Sequence, residues 1–287
     1  MTHPIPQSPN DPILDDLLAG AVAAAHAAAE PVMKMFQSSY TVWDKDGEGG
    51  EARVGPGEPV KNPVTEADLA ADQVLRERLL RLLPDAGWLS EETADSPDRL
   101  ERDAVWIVDP IDGTREFTQG EPEFAISIAL ALHGDVVLGV LLNPARDELF
   151  AARTGSGVFL NGERLPPSDR SAMDGPILLA SRTETRRGDF EPFRAKMEIR
   201  EVGSTAYKLG LVATGFGDCY FTRKPRNEWD VAAGVLLGRE AGLRVTDLGG
   251  SEHRFNRPDP LCRGVVACAS GLYAEVFGMI EAIGTLE

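Results

Sequence analysis

The chain has 287 residues, enough to bury a sizeable core as one large domain or as two closely packed halves. A formal charge of −17 argues against a nucleic-acid surface, which is normally basic, and leaves any anionic substrate to be met by a local metal or basic cluster. Composition is ordinary for a globular protein, 43% hydrophobic and 26% charged, and the three cysteines, Cys219, Cys262 and Cys268, lack zinc spacing and read as reduced cytoplasmic thiols.

The Ala-rich residues 13–29 carry Asp15, Asp16 and His26, lack a basic leader and are interrupted by Glu30-Pro31. They are expected to form an N-terminal helix packed on the body, and no stretch is long and apolar enough to span a bilayer. Residues 44–59, rich in Gly and Glu, read as a mobile loop. Thr65-Glu66-Ala67-Asp68 then opens a pattern of Leu69, Val74, Leu75, Leu79, Leu80 and Leu83 at helical spacing. A short strand over 87–89 delivers Ser90-Glu91-Glu92-Thr93, and a buried strand over 104–108 is expected to stop at Asp109-Pro110.

Apolar runs over 124–132 and 136–142 flank His133-Gly134-Asp135, a hairpin signal, and Asn161-Gly162 marks a second one. The polar stretch 166–175 is placed as a subdomain boundary, giving an N-terminal α+β unit (1–170) and a C-terminal α/β unit (171–287). The second unit mixes strands (177–180, 265–269) with helices (206–214, 231–242, 272–283). Together these elements predict a layered mixed α and β protein.

The run Trp106-Ile-Val-Asp109-Pro-Ile-Asp112-Gly-Thr114 carries the chemistry. Carboxylates crowded at a strand end repel and resist desolvation, so a hard cation such as Mg²⁺ is the simplest thing to hold them there. A polar turn closing the strand is the plain alternative, and both readings stand on these residues alone. Asp68, Glu91 and Asp230 share the same setting at the end of an apolar element, and each has an ordinary explanation: Thr65-x-x-Asp68 as a capping box, Glu91-Glu92 as a solvated pair, Asp230 as an N-cap.

Taken in order, these groups resemble the inositol monophosphatase superfamily of Mg²⁺-dependent, lithium-sensitive phosphomonoesterases. Asp109-Pro-Ile-Asp-Gly-Thr114 is similar to its first signature and Glu228-Trp-Asp-Val-Ala-Ala-Gly234 to its second. Leu89-Ser-Glu-Glu-Thr93 stands at its Glu-Glu strand end and Gly203-Ser-Thr-Ala206 at its substrate loop. Two signatures about 120 residues apart in the correct order are far more specific than either alone. The resemblance implies the inositol monophosphatase/fructose-bisphosphatase-like fold of alternating α-β-α-β-α layers, a homodimer, and two or three Mg²⁺ ions.

It also implies roles. Glu91, Asp109 and the Ile111 carbonyl hold one ion; Asp109, Asp112 and Asp230 hold a second; a weaker third leans on Glu91. Thr114 and Asp68 orient and deprotonate the metal-activated water that attacks directly, and the Gly113 and Thr114 N–H groups receive the phosphate. Gly203, Ser204, Thr205 and Glu228 fall on the substrate side. No cysteine or histidine nucleophile is required, and His3, His26, His133 and His253 lie outside the motifs, expected as surface or loop residues.

Arg223 stands where inositol-specific enzymes carry an acid, with Lys224 and Arg226 after it, and Lys208 replaces another acid or amide. Basic groups there suit a second phosphate. The details Asp112-Gly-Thr-Arg-Glu-Phe117, Ser181-Arg182 and Glu228-Trp-Asp230 look most like the bisphosphate nucleotidase branch, which removes the 3′-phosphate of 3′-phosphoadenosine 5′-phosphate. An inositol or sugar monophosphatase is the alternative, and a catalytically silent, metal-dependent phospholigand-binding protein is an alternative of another class. A small phosphate ester, no nucleic acid and no membrane are the expected partners.

Overall fold

The computed structural model describes residues 2–36, 38, 40–44, 63–167 and 175–283. The loop expected over 44–59, beyond its first residue, and the boundary expected at 170 lie outside the described residues.

Helix α1 (Ile13–Met35) runs through Pro31 instead of stopping before it. Proline costs a helix one N–H and crowds the preceding turn. Ala21, Ala24, Ala25, Ala28, Ala29 and Val32 form a continuous buried stripe, and that packing carries the helix on to Met35. The strands β1 (Val42–Asp44) and β2 (Pro63–Thr65) pair antiparallel and deliver the chain to α2 (Glu66–Leu82). Thr65 is its N-cap: the Thr65 hydroxyl accepts the Ala67 and Asp68 N–H groups, and Asp68 takes the Thr65 N–H at 2.8 Å.

A seven-stranded sheet follows, its strands adjacent in chain order. These are β3 (Gly87–Ser90), β4 (Ala104–Asp112, which runs into the short helix α3, Thr114–Thr118), β5 (Ala125–Leu132), β6 (Asp135–Asn143), β7 (Glu148–Arg153), β8 (Phe159–Leu160) and β9 (Glu163–Arg164). Only the β3–β4 pair is parallel. Both expected hairpins are present. His133-Gly134 turns at φ 49° and 83°, and Asn161-Gly162 at 51° and 82°, the left-handed backbone that two-residue hairpins require.

The second half gives β10 (Ile177–Ala180), α4 (Arg182–Arg186), β11 (Glu198–Glu201), α5 (Thr205–Ala213), β12 (Cys219–Thr222), β13 (Arg226–Asn227), α6 (Glu228–Glu240), β14 (Arg244–Thr246), β15 (Leu261–Cys262), β16 (Val265–Cys268) and α7 (Tyr273–Ile283). Five of its strands form a mixed sheet in the order β11-β10-β12-β16-β14, and β13 pairs with β15. Helices α1 and α2 cover one face of the large sheet, α5 and α6 fill the space between the two sheets, and α7 packs on β16, giving the alternating α-β-α-β-α layers.

The central strands read as unbroken apolar runs because both faces are covered, yet each face has its own composition. Ile126, Ile128, Leu130 and Leu132 of β5 point into the core under α1 and α2, while Ala125, Ala129 and Ala131 point toward α5 and α6. Each large side chain buried this way contributes about 1.5–3 kcal/mol. The small face lets α6 come close: a Cβ on Gly139 would sit 2.9 Å from the Ala233 carbonyl oxygen. The same proximity brings the first turn of α6 beside the ends of β3 and β4.

Candidate active site

Strand β4 does not end at Val108. It pairs with β5 through Asp112, with Asp109 opposite Ser127 and Asp112 opposite Ala125, so a bulge places one extra residue between the two acids. Residues three apart on a regular strand face opposite sides; the extra residue brings both carboxylates to the same end of the sheet. Glu91 enters from the end of β3, its N–H donating to the Val108 carbonyl at 3.3 Å. Asp230 enters from α6, which starts three residues earlier than the sequence pattern suggests. It is therefore not the N-cap; Asn227 is, and Asp230 accepts the Asn227 N–H at 3.3 Å.

Glu91, Asp109 and Asp230 each present an oxygen within 4.8 Å of the others. Asp109 is 1% exposed; its Oδ1 accepts the Ile111 N–H at 3.0 Å, and its buried Oδ2 has no hydrogen-bond partner. Burial, then Glu91, Asp112 and Asp230, push the Asp109 carboxyl well above the usual range, and burial followed by Asp112 does the same to Asp230. An orphaned carboxylate oxygen among further carboxylates is costly unless a cation neutralises it, and an all-oxygen donor set fits Mg²⁺. Asp112 is raised by burial as well, but its Oδ2 is already gripped by the Ser204 hydroxyl and the Ala206 N–H, both at 2.5 Å.

Thr114 opens α3 after Gly113, whose φ of 100° is left-handed. The Thr114 hydroxyl lies 3.1 Å from Asp68 Oδ1 and 3.0 Å from the Ile111 carbonyl oxygen. Asp68 thus caps α2 with one oxygen and meets Thr114 with the other. Burial first, then the charge of Glu92, raise the Asp68 carboxyl to about 7. That value suits a proton acceptor near neutral pH.

Beside this acidic lobe lies a second one that shares Asp112, Gly113, Arg115, Glu116, Arg226 and Asp230 with it. Ser181, Arg182, Gly203, Ser204, Thr205, Lys208 and Lys224 complete much of its wall. Gly203 allows the close fit: a Cβ there would meet Glu116 Cγ at 2.4 Å. Lys208 is 2% exposed and donates to the Val202 carbonyl at 3.1 Å and to the Ser204 carbonyl. Burial lowers its pKa to about 8, against the pull of Asp112 and Glu116.

Two residues assigned to substrate from sequence sit off both lobes. Glu228 is fully buried and accepts the Asn256 and Arg257 N–H groups at 2.7 and 3.0 Å. Arg223 is buried while Lys224 and Arg226 line the wall. Other contributors went unread in the sequence. Asp72 of α2 fixes the Glu91 turn by accepting from Ser90 and Thr93 hydroxyls at 2.5 and 2.7 Å. Glu123 accepts the Gly203 N–H at 2.7 Å and pairs with Arg182 at 2.7 Å. Of the histidines, His253 lies in a loop as expected but is buried.

The inositol monophosphatase family model matches residues 13–283. An inositol-1-monophosphatase of Rhizobium meliloti is 37% identical over 217 residues, 72% of this chain and 78% of that protein. Among solved structures, the Thermotoga maritima IMPase is similar with a TM-score of 0.79 at 28% identity, covering 93% of this chain and 98% of its own. CysQ from Bacteroides thetaiotaomicron, a bacterial member of the inositol monophosphatase family, is similar with a TM-score of 0.72 at 30% identity, covering 89% and 97%.

Proposed function

The chain belongs to the inositol monophosphatase family and is a phosphoric monoester hydrolase, and from that premise we propose a Mg²⁺-dependent, lithium-sensitive enzyme whose substrate is 3′-phosphoadenosine 5′-phosphate. The observation that carries the cation reading is the orphaned, buried Asp109 Oδ2 facing Glu91 and Asp230 beside the Thr114–Asp68 pair. Glu91, Asp109, Asp230 and the Ile111 carbonyl would hold Mg²⁺, with Asp112 completing a second site. When bound, the ion supplies charge neutralisation and lowers the pKa of water.

The protein's own residues supply the rest. Thr114 passes its hydroxyl proton toward Asp68 and accepts a hydrogen bond from the attacking water, so that the water proton has a path to the Asp68 carboxylate. The water oxygen bonds to phosphorus and the ester P–O bond breaks; the leaving alkoxide takes its proton from a solvent water, while the proton of the attacking water ends on Asp68. No residue is phosphorylated on this route. The Gly113 and Thr114 N–H groups, at the opening of α3, would receive the phosphate.

The substrate reading is supported by the cations in the wall of the second lobe: Arg115, Arg182, Lys208, Lys224 and Arg226. A polyol needs hydroxyl partners there; a second phosphate needs charge. An inositol or sugar monophosphatase is the second reading, favoured by the 37% identity to the Rhizobium meliloti inositol-1-monophosphatase. A cytoplasmic homodimer is the setting we propose for either. A panel of phosphate esters assayed with Mg²⁺, with and without Li⁺, separates the two. Preference for the bisphosphate nucleotide supports the first reading, and preference for inositol 1-phosphate replaces it with the second. Acid-stable phosphate trapped on Asp109 during turnover would overturn both.

A further inference from the structure

Glu91 and Asp230 reach the cation site from different segments, the end of β3 and the first turn of α6. We propose that a chain of hydrogen bonds through Arg99, Asn256 and Glu228 sets their spacing, making these three positioning residues for cation binding. The inference rests on the cation reading above.

Arg99 belongs to the short 3₁₀ turn Pro97–Glu101 and is 2% exposed. Its guanidinium holds Asp95 bidentately, Nε to Oδ1 at 2.6 Å and Nη2 to Oδ2 at 2.8 Å. Nη1 donates to Asn256 Oδ1 at 2.7 Å and Nη2 to the Arg257 carbonyl at 2.9 Å, while Asn256 Nδ2 returns to the Arg99 carbonyl at 3.1 Å. Glu228 then accepts the N–H groups of Asn256 and Arg257, and its own N–H donates to the Pro260 carbonyl at 2.8 Å. Asp95 follows Glu91 by four residues and Glu228 precedes Asp230 by two. The chain Asp95–Arg99–Asn256/Arg257–Glu228 therefore bridges the two ligand-bearing segments through the loop between β14 and β15.

Two features separate a strut from general packing. Glu91 is fixed on its other side by Asp72 through Ser90 and Thr93, so the turn carrying it is clamped at both ends. Asn256 has a φ of 55°, a left-handed conformation that aims both its amide toward Arg99 and its N–H toward Glu228. Groups that orient ligands from behind tune metal affinity by roughly ten- to a hundredfold.

The test titrates Mn²⁺ alone into the full chain, following free Mn²⁺ by electron paramagnetic resonance, and compares wild type with Asn256→Gly, Glu228→Gln and Asp109→Asn. Asn256→Gly keeps the left-handed backbone and deletes only the side-chain link. Glu228→Gln is nearly isosteric and loses one of two accepted N–H bonds, and it stands in should the glycine variant unfold. The expected result is an Mn²⁺ Kd weakened roughly tenfold in both, with KM for substrate unchanged at saturating metal. Wild-type Mn²⁺ affinity in a folded variant overturns the strut, as does a raised KM at unchanged Kd, which would place Glu228 on substrate. Wild type binding no more Mn²⁺ than Asp109→Asn would overturn the cation reading and the strut with it.

Discussion

The Thr114 hydroxyl lies 3.1 Å from Asp68 Oδ1, while the opposite oxygen of Asp68 is held by the Thr65 N–H at 2.8 Å and the Thr65 hydroxyl at 2.5 Å. The carboxylate is thus locked by the helix it caps and presents one fixed oxygen to Thr114. Removing the hydroxyl in Thr114→Ala takes away the proton path and leaves the cation carboxylates untouched. We expect kcat to fall by roughly 10²–10⁴-fold with divalent-cation affinity retained, and Thr114→Ser to recover most of the rate. Steady-state kinetics beside Mn²⁺ titration checks this, and near-wild-type turnover in the alanine variant would remove Thr114 from the mechanism.

Asp109→Asn separates charge from fold. The Asp109 carboxyl is raised by burial and by Glu91, Asp112 and Asp230, so in metal-free protein its ionised form costs stability. The amide removes that charge at constant shape. The metal-free variant should melt at or above the metal-free wild type, while Mg²⁺ raises the Tm of wild type and leaves the variant unmoved. Activity should vanish. Calorimetry with and without Mg²⁺ decides, and an unstable, metal-responsive variant would count against the assignment.

Much of this site was legible because its residues sit at ends of strongly patterned elements. The apolar run into Asp109, the Thr65 cap of α2 and the Asn-Gly hairpin are local signals, and the structure realises them. What was missed depends on direction or distance. Glu228 and Asp230 are two apart on a helix, so they face away from each other, and only one can point into the cavity. Arg223 stands beside them in sequence, yet the chain bends at Arg223-Lys224 between two strands, and Arg223 is buried while Lys224 and Arg226 line the lobe. The Arg99–Asn256 contact joins residues 157 apart with no periodic pattern to announce it.

His253 gives the fold a pH dependence. It is 4% exposed, stacked near Phe255 at 6.1 Å, and its Nε2 has no hydrogen-bond partner. Burial lowers its pKa, against a hydrogen bond to the Thr246 backbone and the charge of Asp247. The unfolded chain therefore takes up the proton first. The stability this provides is present above the unfolded value of about 6.5 and drains away as pH falls below it. Urea denaturation from pH 7.5 to 5.5 should show wild type losing up to about 1.4 kcal/mol per pH unit relative to His253→Leu. A pH-independent difference between the two would show that the imidazole titrates alike in the folded and unfolded states and would remove this dependence.

Specificity is expected to follow Lys224 before Arg223. Lys224 is half-buried and lines the second lobe alone, whereas Arg226 lines both lobes and feels Asp230 and Asp112. Charge-assisted contacts contribute about 1.5–3 kcal/mol each, so Lys224→Ala should raise KM for a bisphosphate nucleotide by roughly ten- to a hundredfold. Inositol 1-phosphate, with no second phosphate to lose, should change little. Arg226→Gln should weaken both substrates while tightening the cation, because it removes a positive charge beside Asp230 and Asp112, and Arg223→Ala should affect the two substrates alike. Equal losses in Lys224→Ala for both substrates would move the second phosphate elsewhere and favour the monophosphatase reading.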